Sequence, residues 1–202
     1  MKTTNLLSCL ALTLLPIAAS AQGIQNFEIY YLAGPSFAQT QTIGGTNVTV
    51  YGSTGYSLTI GVADQIMRKS TVSLWIEFVP VIIASPAAQT ATIPGSISLN
   101  SVIYAPAARL MVPIHSRISV FGALGGGYGS FSEPSLTSDN PPDLKTSSPG
   151  HGVLSLGGGI DFRLSRHFGF RVDVRDYITG RDLSGVPGRN HLLPMLGPMF
   201  HW

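Results

Sequence analysis

The sequence predicts an all-β protein, an up-and-down meander of eight antiparallel strands that closes into a membrane-crossing barrel. Three observations lead to this prediction. Only 11% of the 202 residues are charged, about half of the roughly 25% typical of a soluble domain. After the N-terminus, no apolar run approaches the roughly 18–20 residues that a transmembrane helix needs. Apolar and polar residues also alternate in segments of about ten residues, as in membrane barrels.

A closed barrel satisfies both the apolar composition and the lack of spanning helices. Every backbone N–H and C=O of a closed sheet is bonded to a neighbouring strand, so none faces lipid unpaired. Eight segments of the sequence alternate with the period of two that strands require. They cover residues 27–34, 56–63, 72–79, 101–110, 118–124, 155–164, 168–175 and 191–202.

The links between these segments alternate strictly between short and long, which indicates short periplasmic turns and long extracellular loops. Both chain ends are then expected in the periplasm. The short links are Asp64–Ser70, Pro113–Ser116 and Ser165–His167, and the long ones are Ser36–Ser53, Ala84–Ser98, Ser132–Gly150 and Thr179–Asn190. Pro106, Pro194 and Pro198 fall inside segments, and because proline lacks an N–H we expect bulges or frayed ends there.

The first 21 residues predict a cleaved export signal. Lys2 gives a positive start, residues 6–17 form an apolar core, and an Ala-Ser-Ala cleavage pattern ends at Ala21. We therefore expect Gln22 to be the mature N-terminus and residues 22–202 to form one barrel domain. An uncleaved anchor helix is the alternative, but the apolar core is short for it.

Cys9 is the only cysteine, and it lies inside the predicted signal. It faintly resembles a lipoprotein site, but the apolar core continues past it to Ile17. We interpret it as a residue of the signal core. The mature chain is then expected to have no disulfide and no cysteine-based metal site, and the sequence predicts no cofactor.

Charged residues on the strands fall on the less apolar face, which points into the lumen of a membrane barrel. The interior of an eight-stranded barrel is just wide enough to be filled by side chains. We therefore expect a structural salt-bridge network in the lumen, with an ion pathway as the alternative. The predicted network comprises Glu28, Glu77, Arg109, Asp161, Arg163, Arg171, Asp173 and Arg175.

Two glycine-rich runs, residues 125–129 and 157–159, are not phosphate-binding loops. Neither run leads into a helical segment or a GK[ST] ending, which a P-loop requires. Glycines inside strands are more typical of bends and of close packing in the wall of a barrel.

The stretch GGGIDFRLSRHFGFRVDVRDY, residues 157–177, resembles the penultimate hairpin of OmpA-like outer-membrane β-barrel domains. The final residues GPMFHW resemble the aromatic-terminated last strand of that family, although Trp202 stands where Phe is usual. The resemblance implies a bacterial outer-membrane location. It also implies that Phe200 and Trp202 form a signal for the barrel-assembly machinery. The specific part of the resemblance covers residues 150–202.

The function expected from these features is a non-enzymatic one, structural or at the cell surface, with loops that can contact an extracellular ligand. The alternatives are a lipid-modifying enzyme using His151 and Ser155, a narrow channel, and a secreted soluble β-protein. We expect a monomer in contact with outer-membrane lipid. Nucleic acid is not an expected partner, because the arginines are scattered along the sequence.

Overall fold

The computed structural model describes residues 26–37, 41–42, 49–51, 54–84, 88–90, 96–97, 100–136, 144–180 and 189–202. The predicted signal, with cleavage between Ala21 and Gln22, lies outside these residues. Within the described part of the chain, no helix has the length and apolarity needed to cross a membrane.

Eight long antiparallel strands form the wall of the molecule. With all strands of the described residues numbered in chain order, they are β1 Phe27–Phe37, β4 Thr54–Lys69, β5 Val72–Ala84, β8 Ser101–His115, β9 Ile118–Phe131, β12 Gly150–Arg163, β13 Phe168–Thr179 and β14 Arg189–His201. They close in the order β1-β14-β13-β12-β9-β8-β5-β4, with β4 paired to β1. The prediction of an eight-stranded antiparallel barrel is confirmed.

The alternation along each strand separates an inner and an outer face. On β1, Glu28, Tyr30 and Leu32 are buried inside, while Tyr31 is 44% exposed on the outside. The other long strands repeat the alternation: the outer face is apolar, whereas the inner face carries the buried charges together with apolar residues such as Val81, Ile103 and Met195. An apolar outer face around a charged interior is the reverse of a soluble barrel, and it suits a wall in contact with lipid.

Aromatic side chains mark both ends of the outer wall. One end carries Asn26, Trp202 and the short turns, and we call it the turn end; the opposite end is the loop end. At the turn end Trp202 packs against Phe27 and Phe200, with ring centroids 6.4 and 6.1 Å apart. Tyr56, Tyr104 and Tyr128 are exposed near the loop end. Two aromatic girdles of this kind fit the two interfaces of a membrane.

The turns at the turn end are tighter than the sequence predicts. The predicted link Asp64–Ser70 is almost entirely strand, and only Ser70 and Thr71 form the turn. A register shift between Gln65 and Met67 inserts one extra residue into β4. Pairing with β5 continues beyond this shift as far as Lys69 and Val72. In the same way, the link predicted at Pro113–Ser116 reduces to a turn of residues 116–117 after a shift between Pro113 and His115.

Pro106 and Pro198 produce neither the bulges nor the frayed ends expected from the sequence, whereas the ladder between β1 and β14 ends before Pro194, as expected for a frayed end. At Pro106 and Pro198 the ladder is instead interrupted on one side of the proline while the register is kept. Pairing of β1 with β14 stops between Tyr30–Met199 and Ala33–Leu196, around Pro198. The same interruption occurs around Pro106 in the β8–β9 ladder. A missing N–H affects only the neighbour that it would face, because successive N–H groups of a strand point to opposite sides.

Parts of the predicted long loops are strand. The short strands are β2 Gln41–Thr42, β3 Thr49–Tyr51, β6 Ala88–Thr90, β7 Ser96–Ile97, β10 Glu133–Leu136 and β11 Leu144–Ser147. The first four form one sheet in the order β2-β3-β6-β7, which joins the first two loops. β10 and β11 form a separate hairpin. The loop end therefore carries ordered backbone pairing beyond the barrel wall.

Candidate functional site

The lumen holds most of the predicted charge network. Glu28, Glu77, Arg109, Asp161, Arg171, Asp173 and Arg175 are all at most 5% exposed, and they come from β1, β5, β8, β12 and β13. Burying a charge is costly unless it is paired and hydrogen-bonded. The arrangement of their partners therefore decides what this site can do.

One half of the network centres on Glu28 and Asp161. The guanidinium of Arg171 donates two hydrogen bonds to Asp161, each 2.7 Å long, and a third to Glu28 at 3.1 Å. Arg109 donates to the same oxygen of Glu28. The fork of Arg171 thus binds one carboxylate in a bidentate manner and bridges to the next, the geometry that makes arginine suited to buried ion pairs.

The other half joins Glu77, Asp173 and Arg175. Arg175 donates from Nε to both oxygens of Asp173, at 3.1 and 2.9 Å, and its Nη2 lies 2.6 Å from Glu77. The hydroxyl of Tyr30 donates to Glu77 at 3.1 Å. Arg109 links the two halves, because its Nε lies 3.6 Å from Glu77.

Aromatic rings cover the faces of two guanidinium groups. Arg171 lies 4.3 Å from the ring centroid of Tyr30 and 4.8 Å from that of Phe121. Arg109 lies 5.0 Å from the ring of Trp75. Cation–π contacts of this kind contribute most when they are desolvated. The rings also exclude water, so charges and rings together form a plug across the lumen.

Two of the sequence glycines make room for this plug. Gly157 and Gly159 share the inner face of β12 with Asp161. A Cβ on Gly157 would lie 2.6 Å from Cγ of Arg175, and one on Gly159 would lie 2.7 Å from Cζ of Phe121. The run at residues 157–159 therefore serves close packing, as the sequence indicates.

The alternation of inward and outward residues misplaced Arg163, and it was not applied to His201. Arg163 has the predicted inner parity, but it is exposed and lines a cavity at the turn end instead of joining the buried network. It lies at the last position of β12, beyond the depth of the plug. His201 was not predicted, yet its Nδ1 lies 3.4 Å from Glu28. The outward parity of Phe200 and Trp202 was the signal that could have found it.

Phe200 and Trp202, the predicted assembly signal, lie on the outer face at the turn end. Trp202 also closes the barrel: its backbone N–H donates to Phe27 at 2.9 Å, and its carbonyl accepts from Phe27 at 3.1 Å. Their recognition by assembly machinery stays a prediction.

His151 and Ser155 do not form a catalytic pair. Both lie on β12 four residues apart, about 13 Å along a strand, which is too far for a direct hydrogen bond. Ser155 is 1% exposed, and the ring of His151 packs 6.2 Å from that of Phe131. Among the described residues, no group of three His, Cys, Asp or Glu side chains could hold a metal ion.

The closed antiparallel wall, its apolar outer face and its filled lumen define the fold of a small outer-membrane β-barrel. The chain is similar to the outer membrane protein OprG from Pseudomonas aeruginosa, with a TM-score of 0.54 at 15% identity, over 88% of this chain and 96% of that one. It is similar to Neisserial surface protein A, with a TM-score of 0.50 at 12% identity, over 87% and 96%.

A third similar structure is Ail, the attachment invasion locus protein of Yersinia pestis, at 16% identity over 88% of this chain and 99% of that one. Its TM-score is 0.47. At these identities the likeness concerns the fold alone. No protein-family profile and no curated protein matches the chain. The fold agrees with the OmpA-like resemblance, while membership in that family stays a prediction.

Proposed function

We propose that the protein is a non-enzymatic barrel of the bacterial outer membrane that presents its loop end to extracellular partners. The observation that carries the proposal is the plugged lumen. Three arginines and four carboxylates are buried and paired across the interior, and an eight-stranded barrel has little further room. A plug of this kind stabilises the wall and leaves the loops as the surface that partners can reach.

Two features at the loop end support a surface role. The sheet β2-β3-β6-β7 joins two loops, and the hairpin β10–β11 extends a third. Binding residues are often found on loops held by a rigid scaffold. The same proposal includes contact of the apolar wall with outer-membrane lipid, recognition by the barrel-assembly machinery, and a monomeric state.

The alternatives find less support. A channel would need a continuous aqueous path, whereas Arg109, Arg171 and Phe121 lie together across the lumen. A lipid-modifying enzyme built on His151 and Ser155 would need them in contact, and their spacing on β12 prevents it.

Conductance measurements test the plug. We expect the refolded protein in planar bilayers to give no discrete conductance steps, because the network blocks ion passage. Arg171→Ala, which removes a side chain from the centre of the plug, is the matched variant for a gain of leak. Stable single-channel steps from the unaltered protein would contradict the proposal.

A further inference from the structure

The turn end of the lumen contains a cavity of about 400 Å³. Its inner wall includes Trp75 and Met111, which belong to the filled lumen and are 4% and 7% exposed. The guanidinium of Arg109, which belongs to the plug, lies 5.0 Å from the centroid of the Trp75 ring. The cavity therefore ends at the plug. A closed end is suited to holding a ligand, and it is unsuited to conducting one.

The lining of this cavity is strongly basic. Arg68, Arg117, Arg163 and Arg166 all line it, together with His115, and no Asp or Glu of the described part of the chain does. A third of the 12 Lys and Arg residues of the chain thus surround one cavity. Like charges gathered around a concave, low-dielectric wall focus a positive potential and attract anions.

Three separate hairpins build this arrangement. Arg68 precedes the turn at residues 70–71, Arg117 lies in the turn between β8 and β9, and Arg163 and Arg166 flank the end of β12. A backbone hydrogen bond of 2.8 Å from the N–H of Arg163 to the carbonyl of Arg117 joins two of these hairpins. The barrel wall fixes the positions of the hairpins, so the cluster does not depend on one flexible segment.

We propose that this cavity is a binding site for phosphate groups. Arginine forks match the oxygens of phosphate in a bidentate manner, and several of them around one cavity suit a ligand that carries two or more negative charges. A volume of about 400 Å³ lies in the range of small-ligand sites, about 300–1,000 Å³. The phosphate can belong to a soluble molecule or to the headgroup of an anionic phospholipid.

The first arm of the test uses inorganic pyrophosphate and the folded barrel in nanodiscs of phosphatidylcholine. By calorimetry we expect binding that weakens at least tenfold in the double variant R117Q/R163Q and falls with rising salt. K145Q, which removes an exposed charge at the loop end, is the matched control and should bind as the unaltered protein does. Unchanged heat-modifiability on a gel verifies that R117Q/R163Q is folded.

The second arm distinguishes the sources of phosphate. The barrel is released from nanodiscs of mixed phosphatidylglycerol and phosphatidylcholine and examined by native mass spectrometry. Retention of phosphatidylglycerol that is lost in R117Q/R163Q assigns the site to a lipid headgroup. Pyrophosphate binding that depends on the two arginines, without such retention, assigns it to soluble phosphate compounds. If neither ligand depends on Arg117 and Arg163, the proposal is overturned.

Discussion

Arg171 and Asp161 face each other on neighbouring strands, in register, and are joined by two hydrogen bonds of 2.7 Å inside the barrel. We expect Arg171→Gln to destabilise the protein by about 3–5 kcal/mol, because the buried carboxylate of Asp161 loses the two hydrogen bonds that Arg171 donates and keeps only Arg109, at 3.8 Å. The free energy of unfolding in lipid vesicles, from urea titration, measures this. The double variant D161N/R171Q should recover part of the loss. A single variant as stable as the unaltered protein would show that the pair does not stabilise the fold.

Gly159 and Gly122 offer a matched test of packing in the wall. A Cβ on Gly159 would lie 2.1 Å from the carbonyl oxygen of Val172 and 2.7 Å from Cζ of Phe121, whereas one on Gly122 meets no atom of the described residues within 4 Å. We expect Gly159→Ala to cost about 1–3 kcal/mol through overpacking. Gly122→Ala should be neutral or slightly stabilising, because alanine has less freedom to lose on folding. Equal effects in urea titrations would mean that Gly159 is not required for close packing at this point of the wall.

Val172 tests which face of the wall meets lipid. It is 38% exposed on the outer face of β13, between two buried charges of the network. Val172→Arg should cost about 2–4 kcal/mol in vesicles if it lies near the membrane midplane. Leu164→Arg, at the turn end, should cost about 0–1 kcal/mol because charge is tolerated near the interface. Similar costs at both positions would refute the proposed depth.

The orientation of the barrel can be tested by cysteine labelling. The single cysteine, Cys9, lies in the predicted signal, so a mature chain starting at Gln22 should not react with a maleimide. With an impermeant maleimide on intact cells, we expect Lys145→Cys at the loop end to be labelled and Ser116→Cys at the turn end to be protected. Both positions are exposed, so lysed cells should label both. The reverse pattern on intact cells would mean an inverted topology.

Variants of Trp202 can distinguish a role in assembly from a role in stability. Its ring contacts Phe27 and Phe200, and its backbone pairs with β1. Trp202→Ala keeps the backbone bonds, so we expect refolded protein to lose only about 1–3 kcal/mol of burial. If the residue is also an assembly signal, the amount of folded barrel in cells should fall sharply. Trp202→Phe is the control and should assemble normally. Normal assembly of Trp202→Ala would leave burial as its whole contribution.

The strand count and the faces of the wall followed from local alternation, because a period of two assigns each residue to one side. Parity therefore placed Glu28 and Arg175 inside correctly. It did not give depth along the axis, and so it grouped Arg163 with the plug. The effects of Pro106 and Pro198 were misjudged because the sequence does not show which neighbour a missing N–H would face.

The basic cavity could not be predicted, because its arginines come from three hairpins. Arg68 and Arg163 are 95 positions apart in the sequence, and only closure of the barrel brings their hairpins to the same end. The scattering of the arginines along the sequence predicts that nucleic acid is not a partner, and it does not reveal a basic cluster formed by the fold. The pairing of β3 with β6, which joins two loops, depends on tertiary structure in the same way.

A sheet that closes on itself has one junction between its first and last strands, and here that junction also has the shortest ladder of the wall. The ladder from β1 to β14 ends at Ala33 and Leu196, whereas β1 stays paired with β4 as far as Phe37 and Thr54. Continued in the same register, Pro35 would stand opposite Pro194, where neither residue can donate. Under heat or force, the cylinder should part along this line and unroll as an otherwise intact ribbon.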